Sequence, residues 1–115
     1  MKTEIRRQNV QTTPACWQRD APCPCLRIEA SLQASRVFPY QHFIFASLDQ
    51  VDEAEQLQIQ LSSHNVELRG CNLRALLLAL QDFAVKWIRV LPPRYQDLET
   101  GDACVITEIR IEETK

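Results

Sequence analysis

Glycine is nearly absent from this chain, with two residues among 115. Loops that cradle phosphate groups, such as the P-loop and the dinucleotide-binding fingerprint, need several glycines at fixed positions. The H-E-x-x-H and G-x-S-x-G signatures of metalloproteases and serine hydrolases are missing as well. The sequence therefore carries no recognised catalytic motif, and we expect a non-enzymatic protein without a cofactor.

Long apolar runs and an excess of one charge are also lacking. No stretch of about 18 apolar residues occurs, so the sequence predicts no membrane-spanning helix. The N-terminal MKTEIRRQNVQTTP has no apolar segment of the kind found in secretory signals. Thirteen basic and fifteen acidic residues give a net charge of −2, which disfavours nucleic acid as a partner. These features predict a cytoplasmic protein with no membrane partner.

The five cysteines are an odd number and argue against a disulfide scaffold. Three of them, with His42, are the weak candidates for a metal site: Cys16, Cys23 and Cys25. Zinc ligands usually come in pairs about two to four residues apart, which a C-x6-C-x-C pattern does not provide. Incidental thiols are the favoured interpretation, and a metal site at this cluster is the alternative.

Cys71 is the thiol with the best physical reason to be reactive. It precedes a predicted helix, and the start of a helix lowers the pKa of a nearby thiol. A nucleophilic cysteine also needs a base, and no spacing brings His42 or His64 to it. A cysteine-dependent enzyme is therefore the third hypothesis for function.

Hydrophobic periodicity begins after a polar N-terminal segment, so we assign residues 1–24 to a flexible tail and residues 25–115 to a single domain. A two-residue alternation predicts a strand from Leu26 to Ala34, although residues 26–35 also contain good helix formers. Tyr40–Leu48 is short and aromatic, as strands are. Asp49–Glu55 contains four acidic residues and is predicted to be an exposed connection.

The clearest pattern is a β-hairpin. Leu57, Ile59 and Leu61 alternate with glutamines, and Val66 and Leu68 alternate with polar residues after a short polar turn. Each of the two predicted strands has one buried and one solvent-exposed face, which predicts an antiparallel sheet that is covered on one side. Val105 begins a last alternating run, which predicts a final strand.

A long amphipathic helix is predicted between the hairpin and the last strand. Asn72 is a suitable N-cap, and Pro92 ends a helix that runs from about Leu73 to Val90. Its apolar face at 100° per residue is formed by Leu73, Leu76, Leu77, Leu80, Phe83, Ala84, Trp87 and Ile88.

Four apolar side chains fall outside the predicted core and define a candidate interface. Leu78 and Val85 lie one heptad apart on the flank of the predicted helix. Phe43 and Phe45 share one face of the aromatic strand, and this face is exposed if the residues between them face the core. Exposed apolar patches on small proteins usually bind another molecule. A loop that covers the helix flank is the other interpretation.

Together these features predict an α+β fold in the order β-β-β-β-α-β. Its four- to five-stranded, mainly antiparallel sheet carries one long helix on one face. The predicted function is that of a small non-catalytic protein–protein interaction module that associates with itself or with a partner protein. The alternative is a protein that binds a metal through the cysteine cluster or single-stranded nucleic acid through aromatic side chains of the sheet.

Overall fold

The computed structural model describes residues 15–31, 33–92 and 103–114. Within them, a short 3-10 helix (Tyr40–His42) and one α-helix accompany eight strands. In chain order the elements are β1 (Trp17–Arg19), β2 (Cys25–Ser31), β3 (Ala34–Pro39), β4 (Phe43–Val51), β5 (Ala54–Leu61), β6 (His64–Cys71), α1 (Arg74–Gln81), β7 (Val85–Arg89) and β8 (Val105–Glu113).

The strands form two four-stranded sheets in a small single domain. The first sheet has the order β1-β7-β2-β3 and the second has the order β4-β5-β6-β8. All neighbouring strands are antiparallel except β2 and β7, which are parallel. Both sheets and α1 contribute side chains to one hydrophobic core. The prediction of a single sheet crossed by a long helix is therefore wrong, because the described residues are mostly strand and contain one α-helix, of eight residues.

The predicted hairpin is confirmed, with β5 and β6 paired in antiparallel register. Its apolar positions from Leu57 to Leu68 are fully or almost fully buried. The acidic segment before it is largely exposed, as predicted from the sequence, but most of it is strand and not a loop. β4 continues to Val51 and β5 begins at Ala54, so a two-residue turn with Asp52 at φ 57° joins the strands. The sequence left residues 26–35 open between strand and helix. They lie in β2 and β3 and in the turn between them, so this segment is strand and not helix.

The start of α1 differs from the sequence prediction. Asn72 does not cap the helix: its φ is 59°, and its side-chain Nδ2 donates to the Ala103 carbonyl oxygen at 3.0 Å. The Leu73 N–H instead donates to the Glu55 carboxylate at 2.8 Å. A half-buried carboxylate of a neighbouring strand thus satisfies one of the free amides at the helix start.

Phe83 sets the end of α1, whose last residue, Gln81, lies nine residues before the predicted end at Val90. Phe83 has φ 55°. The Ala84 N–H donates to the Ala79 carbonyl oxygen at 2.9 Å, and the Phe83 N–H donates to that of Leu80 at 3.0 Å. This is a Schellman motif, which stops a helix at a left-handed residue. The chain then turns into β7, so the region after Gln81 is a strand and the predicted helix to Val90 is wrong.

Aromatic contacts hold Phe83 in this unusual conformation. Its ring lies 4.9 Å from the Tyr40 ring and 6.1 Å from the Phe43 ring, measured between centroids. We expect Phe83→Ala, which loses both contacts but keeps the left-handed strain, to be less stable than Phe83→Gly by about 1 kcal/mol. Urea denaturation of the two variants checks this order. An alanine variant as stable as the glycine variant would show that the backbone is not strained there.

Part of the segment assigned to the tail is structured. Cys16 is buried and β1 pairs with β7, whereas residues 1–14 lie outside the described residues. No helix among the described residues is long and apolar enough to cross a membrane.

Candidate functional site

The structure separates Leu78 from Val85, which were predicted to share an interface. Leu78 lies on α1 opposite its buried face and is 46% exposed. Val85 lies in β7 and is fully buried. The two do not form one surface, because the helix that would have aligned them ends before Val85.

A β-bulge separates the other predicted pair. The register between β4 and β5 shifts between Phe43 and Phe45, so Ile44 is an extra residue in β4. Phe43 pairs with the buried Leu61 and packs against the core. Phe45 pairs with Gln60 on the polar outer face and is 48% exposed. Of this pair, only Phe45 is on the outer face.

The weak metal candidates are not brought together. The Cys16 carbonyl oxygen accepts from the Arg89 N–H, whereas the Cys23 Sγ lies 3.6 Å from the Val85 carbonyl oxygen. Val85 and Arg89 are at opposite ends of β7, about 13 Å apart at the usual rise per residue. The Cys23 Sγ also lies 3.6 Å from the carbonyl oxygen of Cys25.

His42 lies elsewhere, in the 3-10 helix, and its carbonyl oxygen accepts from the Ser62 N–H at the β5–β6 turn. Among the residues that the structure describes, no group of three or more His, Cys, Asp or Glu side chains is placed to hold a metal ion.

Cys71 has no histidine near it. His64 begins β6 and Cys71 ends it, so the two are about 23 Å apart at about 3.3 Å per residue. His42 lies at the same end of the sheet as His64, beside the β5–β6 turn. The chain has only these two histidines, and neither can act as a base for Cys71 in this arrangement.

The outer face of the first sheet carries an aromatic and basic surface that the sequence did not predict. Directly paired residues point to the same face of a sheet, and the pairing registers place four side chains in one row across β1, β7, β2 and β3. We call this row of side chains the tryptophan face; it consists of Gln18, Trp87, Arg27 and Val37. Most of the residues next to them along the strands point into the core.

Polar contacts fix the side chains around Trp87. Its indole Nε1 donates to the Gln18 Oε1 at 2.8 Å. The Arg89 guanidinium lies over the indole ring, 4.9 Å from its centroid, and its Nε donates to the Ala15 carbonyl oxygen at 2.8 Å. Tryptophan and arginine are the residue types enriched at protein–protein hot spots. A half-buried Trp–Arg pair on a sheet face is thus suited to binding another protein.

The tryptophan face ends at Val37 in β3, at the open edge of the first sheet. β3 is an edge strand whose residues 34–37 are all exposed. Among the residues that the structure describes, Val37 is the most exposed large hydrophobic residue, at 60%. Edge strands present unpaired backbone groups to which another strand can bind. The edge of β3 carries one charge, Arg36, and its proline, Pro39, stands at its last residue.

The other three edges are guarded by devices that natural sheets use against such pairing. β1 has only three residues. β4 contains the bulge at Ile44 and packs against α1. The outer face of β8 is charged at alternate positions: Glu108, Arg110 and Glu112.

The backbone groups that face the open edge of β3 follow from its pairing with β2. The Tyr40 N–H donates to the Pro24 carbonyl oxygen at 2.8 Å, one step beyond the Cys25–Pro39 pair. Because antiparallel strands alternate bonded and non-bonded pairs, the N–H groups of Arg36 and Phe38 point toward β2. The N–H and C=O groups of Ser35 and Val37 therefore point to the open edge.

No protein-family model matches the chain, and no curated protein or solved structure is significantly similar to it.

Proposed function

We propose that this protein is a small cytoplasmic, non-catalytic interaction module that self-associates through the open edge of β3. The observation that carries the proposal is the contrast between this edge and the other three. Three edges are short, bulged or charged, whereas β3 presents unpaired backbone groups beside the exposed Val37. A second copy of the chain offers the same strand, and two-fold symmetry makes antiparallel pairing of identical strands possible.

Charge selects the register of this pairing. If Val37 faces Ser35 of the second copy, the two Arg36 side chains stand directly opposite each other, and like charges in that position are destabilising. If Val37 faces its own counterpart, the arginines are apart and Ser35 faces Pro39. The Ser35 N–H then donates to the Pro39 carbonyl oxygen, and the missing proline N–H costs one bond, the one that the Ser35 carbonyl oxygen would accept. We therefore place the two-fold axis at Val37.

This pairing joins the two first sheets into one of eight strands and makes the two tryptophan faces continuous. The strand pair itself is smaller than the about 800 Å² per partner that stable complexes bury. The dimer is consequently weak, and its population depends on protein concentration. The continuous face, with a Trp–Arg pair from each copy, is the surface at which a partner protein docks.

The same face is less suited to nucleic acid, the alternative suggested by the sequence. Base stacking needs an open aromatic ring, but the Arg89 guanidinium already lies over Trp87. The other nearby cation, Arg27, is paired with Glu29 at 2.8 Å. Retention on heparin that falls steeply with salt would favour nucleic acid over a protein partner.

Two lysine substitutions test self-association. Val37→Lys places like charges opposite each other at the two-fold axis, and we expect the dimer dissociation constant to rise by about tenfold or more. Ile44→Lys is the matched control, because Ile44 is similarly exposed but lies on the bulged edge of β4. Sedimentation equilibrium over a range of concentrations measures both. A wild-type chain that is monomeric throughout, or equal weakening by both variants, contradicts the proposal.

A further inference from the structure

A cavity opens where β7 leaves β2. The parallel pairing of these strands ends at Glu29 and Arg89. Beyond Arg89 the chain turns toward the second sheet, because the Leu91 N–H donates to the Ile106 carbonyl oxygen in β8 at 2.8 Å. β2 instead continues to Ser31. The diverging chains leave a cavity of about 570 Å³ between them, which lies in the range of about 300–1,000 Å³ that is usual for small-molecule sites.

The cavity wall combines apolar side chains with one acid and one base. Its apolar part is formed by Ala30, Val90, Leu91 and Pro92. Its charged part is formed by Glu29 and Arg89, which are half-buried and directly paired on neighbouring strands. Because neighbouring strands lie about 4.8 Å apart, the two opposite charges belong to side chains that start next to each other.

Arg89 is held in place with only part of its hydrogen-bonding capacity in use. Its guanidinium lies over the Trp87 ring, and its Nε donates to the Ala15 carbonyl oxygen at 2.8 Å. Within the described part of the chain, the two Nη atoms make no hydrogen bond or ion pair. A planar guanidinium with unused donors is suited to binding a carboxylate group.

Glu29 likewise keeps part of its carboxylate for a ligand. Its Oε2 lies 2.8 Å from the Arg27 Nε. A carboxylate accepts through both of its oxygens, so the Glu29 Oε1 can bind an ammonium group while the ion pair with Arg27 persists. The wall thus offers one site for a negative group and one for a positive group.

We propose that this cavity binds a free apolar α-amino acid. The ligand carboxylate binds Arg89, its ammonium binds Glu29, and its side chain packs against the apolar part of the wall. A ligand with only one charge would leave Glu29 or Arg89 without a partner, whereas an α-amino acid carries both charges on neighbouring atoms. The named lining residues lie outside β3, so the inference does not depend on self-association.

Isothermal titration calorimetry of the full chain with L-leucine tests the proposal. We expect saturable binding with a dissociation constant below about 1 mM. N-acetyl-L-leucine lacks the ammonium and L-leucinamide lacks the carboxylate, so each should bind at least about tenfold more weakly. Glycine lacks the apolar side chain and should also bind at least about tenfold more weakly.

Two substitutions assign the ligand charges to the two residues. In Glu29→Gln, L-leucine and N-acetyl-L-leucine should bind equally, because the acceptor for the ammonium is gone. In Arg89→Gln, L-leucine and L-leucinamide should bind equally, because the donor to the carboxylate is gone. Asp82→Asn is the matched control and should keep both differences, since Asp82 is paired with Arg19 at a different cavity.

Amide chemical shifts locate the bound amino acid. Addition of L-leucine should shift the Ala30 and Val90 amides and leave the Asp82 amide unchanged. The proposal is overturned if L-leucine does not saturate the protein, if the shifts lie elsewhere, or if Glu29→Gln weakens all four ligands alike. It is also overturned if N-acetyl-L-leucine or L-leucinamide binds as tightly as L-leucine, because the cavity would then accept the end of a polypeptide rather than a free amino acid.

Discussion

Gly70→Ala is expected to lower the free energy of unfolding by more than about 3 kcal/mol, or to leave the chain unfolded. Gly70 is buried in β6 and pairs with Ile106 where the register with β8 shifts. A Cβ at this position would overlap the Val105 carbonyl oxygen and lie 3.0 Å from the Ile106 Cα. These are backbone atoms, so no side-chain rotation relieves the clash and β8 must move away.

Urea denaturation measures this loss, and thiol reactivity locates it. Displacement of β8 would expose Cys16 and Cys104, so both thiols should react faster in Gly70→Ala. Glu67→Ala is the matched control on the same strand, because it removes a 3.9 Å exposed ion pair with Arg110 and should cost less than about 1 kcal/mol. If Gly70→Ala is as stable as this control, the close approach of β6 and β8 is wrong.

Tyr40→Phe is expected to lower the free energy of unfolding by about 2–3 kcal/mol. The buried Tyr40 hydroxyl donates to the Val85 carbonyl oxygen at 2.6 Å and accepts from the Val85 N–H at 3.2 Å. The variant leaves both groups in the core, with the Cys23 thiol, 3.6 Å from the carbonyl, as a weak substitute. Thr107→Val is the control, since its hydroxyl makes one exposed bond, to the Arg69 carbonyl oxygen. Equal losses in the two variants would contradict the role of Tyr40.

The same hydroxyl makes the stability sensitive to high pH. Burial raises the pKa of Tyr40 above its usual value of about 10, so the folded state favours the neutral phenol. The contribution of the Tyr40 hydroxyl to the free energy of unfolding is fully present below about pH 10 and is lost as the pH rises beyond that value. Cys104, with a pKa raised from 9.0 to about 12, adds a loss that begins near pH 9. We expect the stability gap between wild type and Tyr40→Phe to narrow above pH 10.

The sequence predicted the second sheet better than the first. In β5 and β6 the period of two is uninterrupted, and the hairpin is where it was expected. The first sheet joins β1, β2 and β7, which are far apart in the chain, and no local pattern reports such pairings. The segment from Ala84 to Arg89 matched a helical face because its buried positions also fit a 100° spacing.

The end of α1 was missed because its stop residue is not the usual one. A left-handed C-terminal residue is normally glycine, and here it is Phe83, held by contacts with Tyr40 and Phe43. Those contacts come from a distant part of the chain. From the sequence alone, Phe83 therefore fits the apolar face of the predicted helix, although in the structure the chain turns there.

Most of the candidate surface was not predicted either, because it too depends on contacts between distant parts of the chain. Trp87 was assigned to the buried face of a helix, yet it lies in a five-residue strand with its indole on the outer face. The period of two in V-K-W-I-R gave no signal for this, because it puts Trp87 on the same face as the buried Val85. The pairing of β1 with β7 skips Lys86, and Trp87 therefore points outward. Phe43 and Phe45 were placed on one face because a bulge at Ile44 leaves no mark in the sequence.

Amide hydrogen exchange at the edge of β3 tests self-association most directly. The Arg36 and Phe38 amides bond to β2 and serve as internal references, whereas the Ser35 and Val37 amides face the open edge. We expect the Ser35 and Val37 amides to exchange rapidly in dilute protein and to become protected as the concentration rises, but not in Val37→Lys. Rapid exchange of both amides at every concentration would contradict pairing between two copies of β3.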